Sequence, residues 1–137
     1  MRLKDKVSII TGAGRGIGQA TALKFAREGA IVIVCDMGQA SVDETVAAIR
    51  AEGGTADGFV VDVTKRAQID AMVEAVMATH GRIDTLVNNA GIVADAQLRK
   101  MSDAAFDRVI DVNLKGTYNC ARAVVDIMVA QGSGVIL

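Results

Sequence analysis

The sequence has no proline and no tryptophan, and aromatics make up only 3% of its 137 residues. Without proline there is no stiff linker to mark an internal boundary. With so few aromatic rings, a core must be assembled from Val, Ile, Leu, Met and Ala. Cysteine and histidine are nearly absent as well: Cys35, Cys120 and His80 are the whole supply. That set matches no zinc spacing and no disulfide framework, so no metal site is expected and both thiols read as small core side chains. Neither sign of charge prevails, since 15 Lys and Arg stand against 16 Asp and Glu for a net charge of -1. The basic residues gather no further than pairs such as Lys65-Arg66 and Arg99-Lys100, which argues against a nucleic-acid surface. The longest apolar run, Ala30 to Cys35, is far too short to cross a bilayer, and the opening residues Met1 to Lys6 lack the apolar stretch of a secretory signal. The expectation is a cytoplasmic protein with neither a membrane nor a nucleic-acid partner.

What is abundant is apolar sequence, 51% of the chain, enough for one ordinary domain spanning residues 1–137. Runs rich in β-branched residues recur at Val7 to Thr11, Ala30 to Cys35, Gly58 to Asp62 and Thr85 to Asn88, with helical periodicity between them. Continuous apolar strands alternating with helices indicate a parallel sheet covered on both faces, hence an α/β fold. Gly18, Thr21, Ala22, Phe25 and Gly29 form one face of a first helix. Ser41 to Glu44 reads as a capping box opening a second, which Gly53-Gly54 stops. Ile69, Met72, Val73, Val76 and Met77 make the inward stripe of a third, ending at His80-Gly81, where the histidine reads as a capping or dipole residue. Ser102 caps a long fourth helix whose inward face reads Phe106, Ile110, Asn113, Thr117, Cys120, Val124 and Ile127. Gly132-Ser-Gly134 then turns the chain into a fifth strand at Val135 to Leu137.

The first strand runs into Thr11-Gly-Ala-Gly-Arg-Gly-Ile-Gly18, which opens a helix. Such a turn exposes backbone amides and the positive helix end to a pyrophosphate, and side chains larger than hydrogen would block the approach. The glycines at 12, 14, 16 and 18 fit T-G-x-x-x-G-x-G rather than G-x-G-x-x-G. Together with Asn88-Asn89-Ala90-Gly91 after the fourth strand, Asp62-Val63 after the third and Asp111 to Gly116 on the fourth helix, this pattern resembles the short-chain dehydrogenase/reductase family. The stretch from Ala90 to Gly116 resembles its 3-oxoacyl-acyl-carrier-protein reductase branch. The resemblance implies a Rossmann-like, doubly wound parallel sheet of strand order 3-2-1-4-5, here broken off within the fifth strand. It also implies an NAD(P)-dependent oxidoreductase moving hydride between nicotinamide and a ketone or secondary alcohol, with a weak preference for 3-oxoacyl thioesters. By the same resemblance, the protein forms homo-oligomers, tetramers or dimers.

In such sheets the ligand crevice lies at the carboxyl ends of the strands, where the order reverses. Gly12, Gly14, Arg15, Gly16, Ile17 and Gly18 occupy one such end, and Asn89, Ala90 and Gly91 another, although the asparagine turn also reads as a device that ties down strand ends. The family resemblance gives Asp62 and Val63 to the adenine and Asn89 to the adjoining ribose. Asp36, at the end of the second strand, is placed to accept the hydrogen bonds of the adenosine ribose diol. A 2′-phosphate there would put two like charges about 4 Å apart, costing about 4 kcal/mol at an effective dielectric of 20. Met37 offers no compensating cation, so NAD is the expected cofactor. Arg15 is the counterweight, and capping the approach to the second helix is the bland role for Asp36.

The proton-handling groups implied by the resemblance are a Ser and a Tyr-x-x-x-Lys, and neither appears. The one tyrosine, Tyr118, is followed four residues on by Arg122, and Ser133 precedes the fifth strand. Only Asn113 has a match, to the asparagine of the family's proton relay; an asparagine bonded to neighbouring loops is the alternative. The favoured reading is the cofactor-binding half of a full oxidoreductase, incomplete relative to the family and inactive as 137 residues. A non-catalytic NAD-binding module is the alternative.

Overall fold

The computed structural model describes all residues, 1–137. Five strands, β1 (Val7–Thr11), β2 (Ile31–Asp36), β3 (Thr55–Val60), β4 (Thr85–Val87) and β5 (Val135–Ile136), form one parallel sheet of order β3-β2-β1-β4-β5. This is the Rossmann-like, doubly wound arrangement. Helices α1 (Gly16–Arg27) and α2 (Gln39–Ala51) cover one face, while α3 (Arg66–His80) and α5 (Gly116–Gln131) cover the other. The central strands have apolar residues on both sides because both sides are covered. Ile10, Val32 and Val34 pack with Ala22, Val42 and Ile49. Val7, Ile9, Ile33, Cys35 and Leu86 pack with Ile69, Val76, Cys120 and Val124. No helix is long and apolar enough to cross a membrane.

Three local expectations are corrected. The third strand starts at Thr55 and stops at Val60, because it pairs with β2 from Ile31↔Thr55 to Asp36↔Val60; Asp62 lies past its end. As an edge strand it tolerates polar residues facing outward. One of these, Asp57, meets His80 Nε2 at 2.8 Å, so the histidine is tied to the sheet edge while Gly81, left-handed at φ 71°, ends α3. The capping box at Ser41 does not form: α2 begins at Gln39 with Gly38 as its cap, and the Ser41 hydroxyl instead donates to the Gly38 carbonyl at 3.3 Å.

The fourth helix is two helices in different frames. Helix α4 (Asp103–Ile110), capped by the Ser102 hydroxyl accepting from the Ala105 amide at 3.1 Å, runs into a wide turn at Asp111–Lys115 before α5 begins. In that turn the Gly116 amide donates to the Asp111 carbonyl, five residues back. One surplus residue rotates the following face by about 100°. The buried stripe is Val112, Gly116, Asn119, Cys120, Val124 and Met128: Cys120 and Val124 are buried as anticipated, whereas Phe106, Ile110 and Asn113 are exposed and Thr117 and Ile127 only half-buried. Phe106 is 54% exposed and Asn113 lies at the surface, whereas Asn119, 4% exposed, is the inward amide.

Candidate functional site

At the carboxyl ends of β1, β2 and β4 the chain forms a cleft of about 320 Å³. It brings together Gly12, Arg15, Gly16 and Ile17 from the glycine loop, Asp36 from the end of β2, Asp62 and Val63 after β3, and Asn89, Ala90 and Gly91 after β4. Three other expected site residues stand apart from its wall. Gly14 and Gly18 shape the loop from behind, and Asn113 lines a neighbouring apolar cavity of about 310 Å³ with Phe106, Val109 and Ile110. Ile92 belongs to both cavities.

The glycine loop is set by close approach. A Cβ on Gly18 would fall on the Gly12 carbonyl and lie 2.5 Å from Asn89 Nδ2, so the start of α1 can touch the two strand ends only as glycine. Gly16, at φ 56°, needs its freedom for backbone reasons, since nothing surrounds it. The helix then opens without a side-chain cap, and the amides of Gly16, Ile17 and Gly18 find no acceptor within the chain. Unpartnered donors at the positive end of a helix, on the wall of a cleft, form an anion-binding surface.

Thr11 and Asn89 knit the strand ends together. The buried Thr11 hydroxyl accepts from the amides of Asn89 at 3.1 Å and Ala90 at 2.9 Å. Asn89 Nδ2 in return donates to the carbonyls of Thr11 at 3.1 Å and Gly12 at 3.2 Å. Both the tie between strand ends and the wall of the cleft are thus made by the same asparagine turn. A second tie, unanticipated from sequence, fixes the loop to α2: the buried Thr45 hydroxyl donates to the Ala13 carbonyl at 3.0 Å and accepts from Gln19 Nε2 at 3.1 Å. A threonine on an otherwise apolar helix face was the available signal.

The two acidic groups on the cleft are both held by backbone. Asp36 Oδ2 accepts from the Gly14 amide at 2.8 Å and Oδ1 from the Met37 amide at 2.7 Å. This carboxylate orders the glycine loop as well as facing the cleft. Burial opposes ionisation of Asp62, but the Thr64 amide and hydroxyl on its Oδ1, with Lys65 and Arg108 nearby, hold its pKa below the usual value. Cys35 forms part of the cleft floor with no exposed surface, and burial pushes its thiol far up; burial likewise pushes Cys120 up to about 11. Neither is a reactive thiol. Tyr118 is exposed on α5, and Arg122 pairs with Asp126 at 3.0 Å.

Residues 6–137 match the short chain dehydrogenase family. Among curated relatives, the chain is 48% identical over 137 residues to 3-oxoacyl-[acyl-carrier-protein] reductase FabG of Thermotoga maritima, covering 100% of this chain and 56% of that protein. It is 46% identical over 134 residues to galactitol 2-dehydrogenase of Agrobacterium fabrum, covering 98% and 51%. A solved structure of a putative short-chain dehydrogenase/reductase from Burkholderia xenovorans superimposes with a TM-score of 0.95 at 36% identity, over 98% of this chain and 53% of that one. The chain thus spans about half the length of the curated relatives it matches. With the sheet order, the glycine loop and the asparagine turn all in register, the chain belongs to the short-chain dehydrogenase family.

Proposed function

We propose that this chain supplies the NAD-binding part of an oxidoreductase that moves hydride between nicotinamide and a ketone or secondary alcohol. The observation that carries this reading is the pair of unpartnered amides of Gly16 and Ile17, on the wall of the same cleft as Asp36 and Asp62, with the unpartnered Gly18 amide behind them. The residues fit a dinucleotide: the amides suit a diphosphate, Asp36 suits a ribose diol, and the Val63 amide, which donates to nothing in the chain, and Asp62 Oδ2 suit an adenine. Gly12, Gly14, Arg15, Asn89, Ala90 and Gly91 shape and line the same binding surface. The cofactor, when bound, supplies the hydride.

The charge of Asp36 supports NAD over NADP, because Met37 beside it is uncharged and 55% exposed. Arg15, on the same cleft, is the residue that would support the phosphorylated cofactor. Calorimetric Kd values for NADH and NADPH decide the matter. The wild type is expected to prefer NADH by about tenfold or more, and Asp36→Ala to erase the preference; tighter NADPH binding by the wild type overturns it.

The family's proton-handling Ser and Tyr-x-x-x-Lys have no match in these 137 residues. We therefore expect this chain to bind dinucleotide without turning over a ketone, and the reaction to belong to a longer protein. Asn113 would serve there through its hold on Ile92, which lines both cavities. The 3-oxoacyl thioester is our preferred substrate because of the likeness to the Thermotoga reductase. A homo-oligomer in the cytoplasm is the setting we propose, with the exposed Phe106, Tyr118 and Val129 available for subunit contact.

A further inference from the structure

The carboxylate of Asp62 is divided between two tasks. Its Oδ1 accepts from the Thr64 amide at 2.9 Å and the Thr64 hydroxyl at 2.7 Å, while Oδ2 accepts nothing from the chain. The Thr64 amide belongs to the same planar peptide unit as the Val63 carbonyl. That carbonyl accepts from Asn119 Nδ2 at 3.0 Å. One rigid group therefore joins a buried carboxamide on α5 to a carboxylate on the cleft, and a donor at its carbonyl end strengthens the N–H at its other end.

Two further observations make this link specific. A Cβ on Gly116 would lie 2.6 Å from Val63 Cγ2, so α5 carries a glycine where it must approach Val63, one turn before Asn119. The main chain of Asp62 is anchored independently: its amide donates to Gln68 Oε1 at 2.8 Å and its carbonyl accepts from the Lys65 amide at 2.9 Å. Losing Asn119 would leave Asp62 in place and loosen only the peptide that orients its carboxylate.

We propose that Asn119 is a positioning residue for Asp62, keeping Oδ2 available to the exocyclic amine of an adenine and so setting a preference for an amino-purine over an oxo-purine dinucleotide. This rests on the reading of the cleft as a dinucleotide site with Asp62 at the base.

The test is calorimetric Kd values for NADH and for the reduced nicotinamide hypoxanthine dinucleotide, with wild type and Asn119→Leu, alongside thermal midpoints. The wild type is expected to prefer NADH by about tenfold and the variant by about twofold, through weaker NADH binding. A residue that merely supports the fold would lower the midpoint and weaken both ligands in proportion. An unchanged ratio therefore overturns the role of Asn119. A wild type that binds both dinucleotides equally, or neither, overturns the underlying reading as well. Should the variant not fold, the side-chain amide resonances of Asn119 in the wild type are followed by NMR. They are expected to shift on adding NADH and much less on adding the hypoxanthine dinucleotide, and equal shifts overturn the proposal.

Discussion

Asn113 grips Ile92 with both ends of its carboxamide: Oδ1 accepts from the Ile92 amide at 2.8 Å, and Nδ2 donates to the Ile92 carbonyl at 2.9 Å. The pair imitates a strand ladder between a side chain and a loop, and it fixes the residue that both cavities share. Replacing Asn113 with Ala removes two hydrogen bonds at a solvent-accessible site, so the expected loss of stability is modest, about 1–2 kcal/mol. The sharper expectation is local: amide exchange at Ile92 accelerates in Asn113→Ala by about tenfold or more while exchange in β1 and β2 is slowed as before. Equal protection of Ile92 in both proteins would show that the grip is dispensable.

The glycine loop offers a paired comparison. Gly18→Ala drives a methyl into the Gly12 carbonyl and Asn89, and is expected to cost about 1–3 kcal/mol in urea unfolding and to abolish dinucleotide binding. Gly16→Ala has open space around it and meets only the left-handed backbone at φ 56°, so about 1 kcal/mol is expected. A Gly18 variant as stable as the Gly16 variant would contradict the close-packed geometry.

Asp84 anchors the opposite end of the sheet. Burial disfavours its charge, yet Arg82 at 2.6 and 2.8 Å, the Val7 amide at 2.9 Å and Lys6 at 3.7 Å hold its pKa below the usual carboxylate value. A depressed folded pKa gives stability that is complete above the unfolded value, about 3.9, and lost as pH falls below it through the folded value. Asp84→Asn is expected to be less stable than wild type at neutral pH by about 1–3 kcal/mol. The gap between the urea midpoints of the two proteins should narrow progressively as pH falls below about 3.9; a gap that stays constant there would remove Asp84 as the cause.

Ser8, on β1, has a hydroxyl with no partner and no exposed surface. Ser8→Ala discards an unsatisfied buried group at little cost in volume, so it should raise the unfolding free energy by about 1 kcal/mol. A destabilised variant would mean that the hydroxyl is satisfied in solution.

Where chemistry is local, it was legible in the order of residues. The strand from Val7 to Thr11, the glycines that follow it and the asparagine turn declare themselves because each depends on near neighbours; the cleft gathers Asp36 and Asn89 from the strand ends, together with Asp62, which only the family resemblance pointed to. The edge strand was misplaced because Thr55 to Asp57 owe their extended form to pairing with Ile31 to Ile33, not to their own apolarity. Asn119 escaped notice for another reason. A helical wheel carried through Asp111–Lys115 without the surplus residue puts Asn113 inward and Asn119 outside, and no composition signal marks the turn. Thr11 belongs to a local motif, but the two amides its hydroxyl serves lie in the turn after β4, which only the fold brings alongside.

The wide turn also bears on which changes in chain length the protein survives. Removing any one residue between Asp111 and Lys115 would let an ordinary helix close over the gap, and everything from Asn119 to Met128 would be swung off the sheet it covers. A deletion in the exposed stretch from Asp95 to Gln97 has no such lever arm to act through. Counting residues, as much as choosing them, is therefore part of how this helix holds its place.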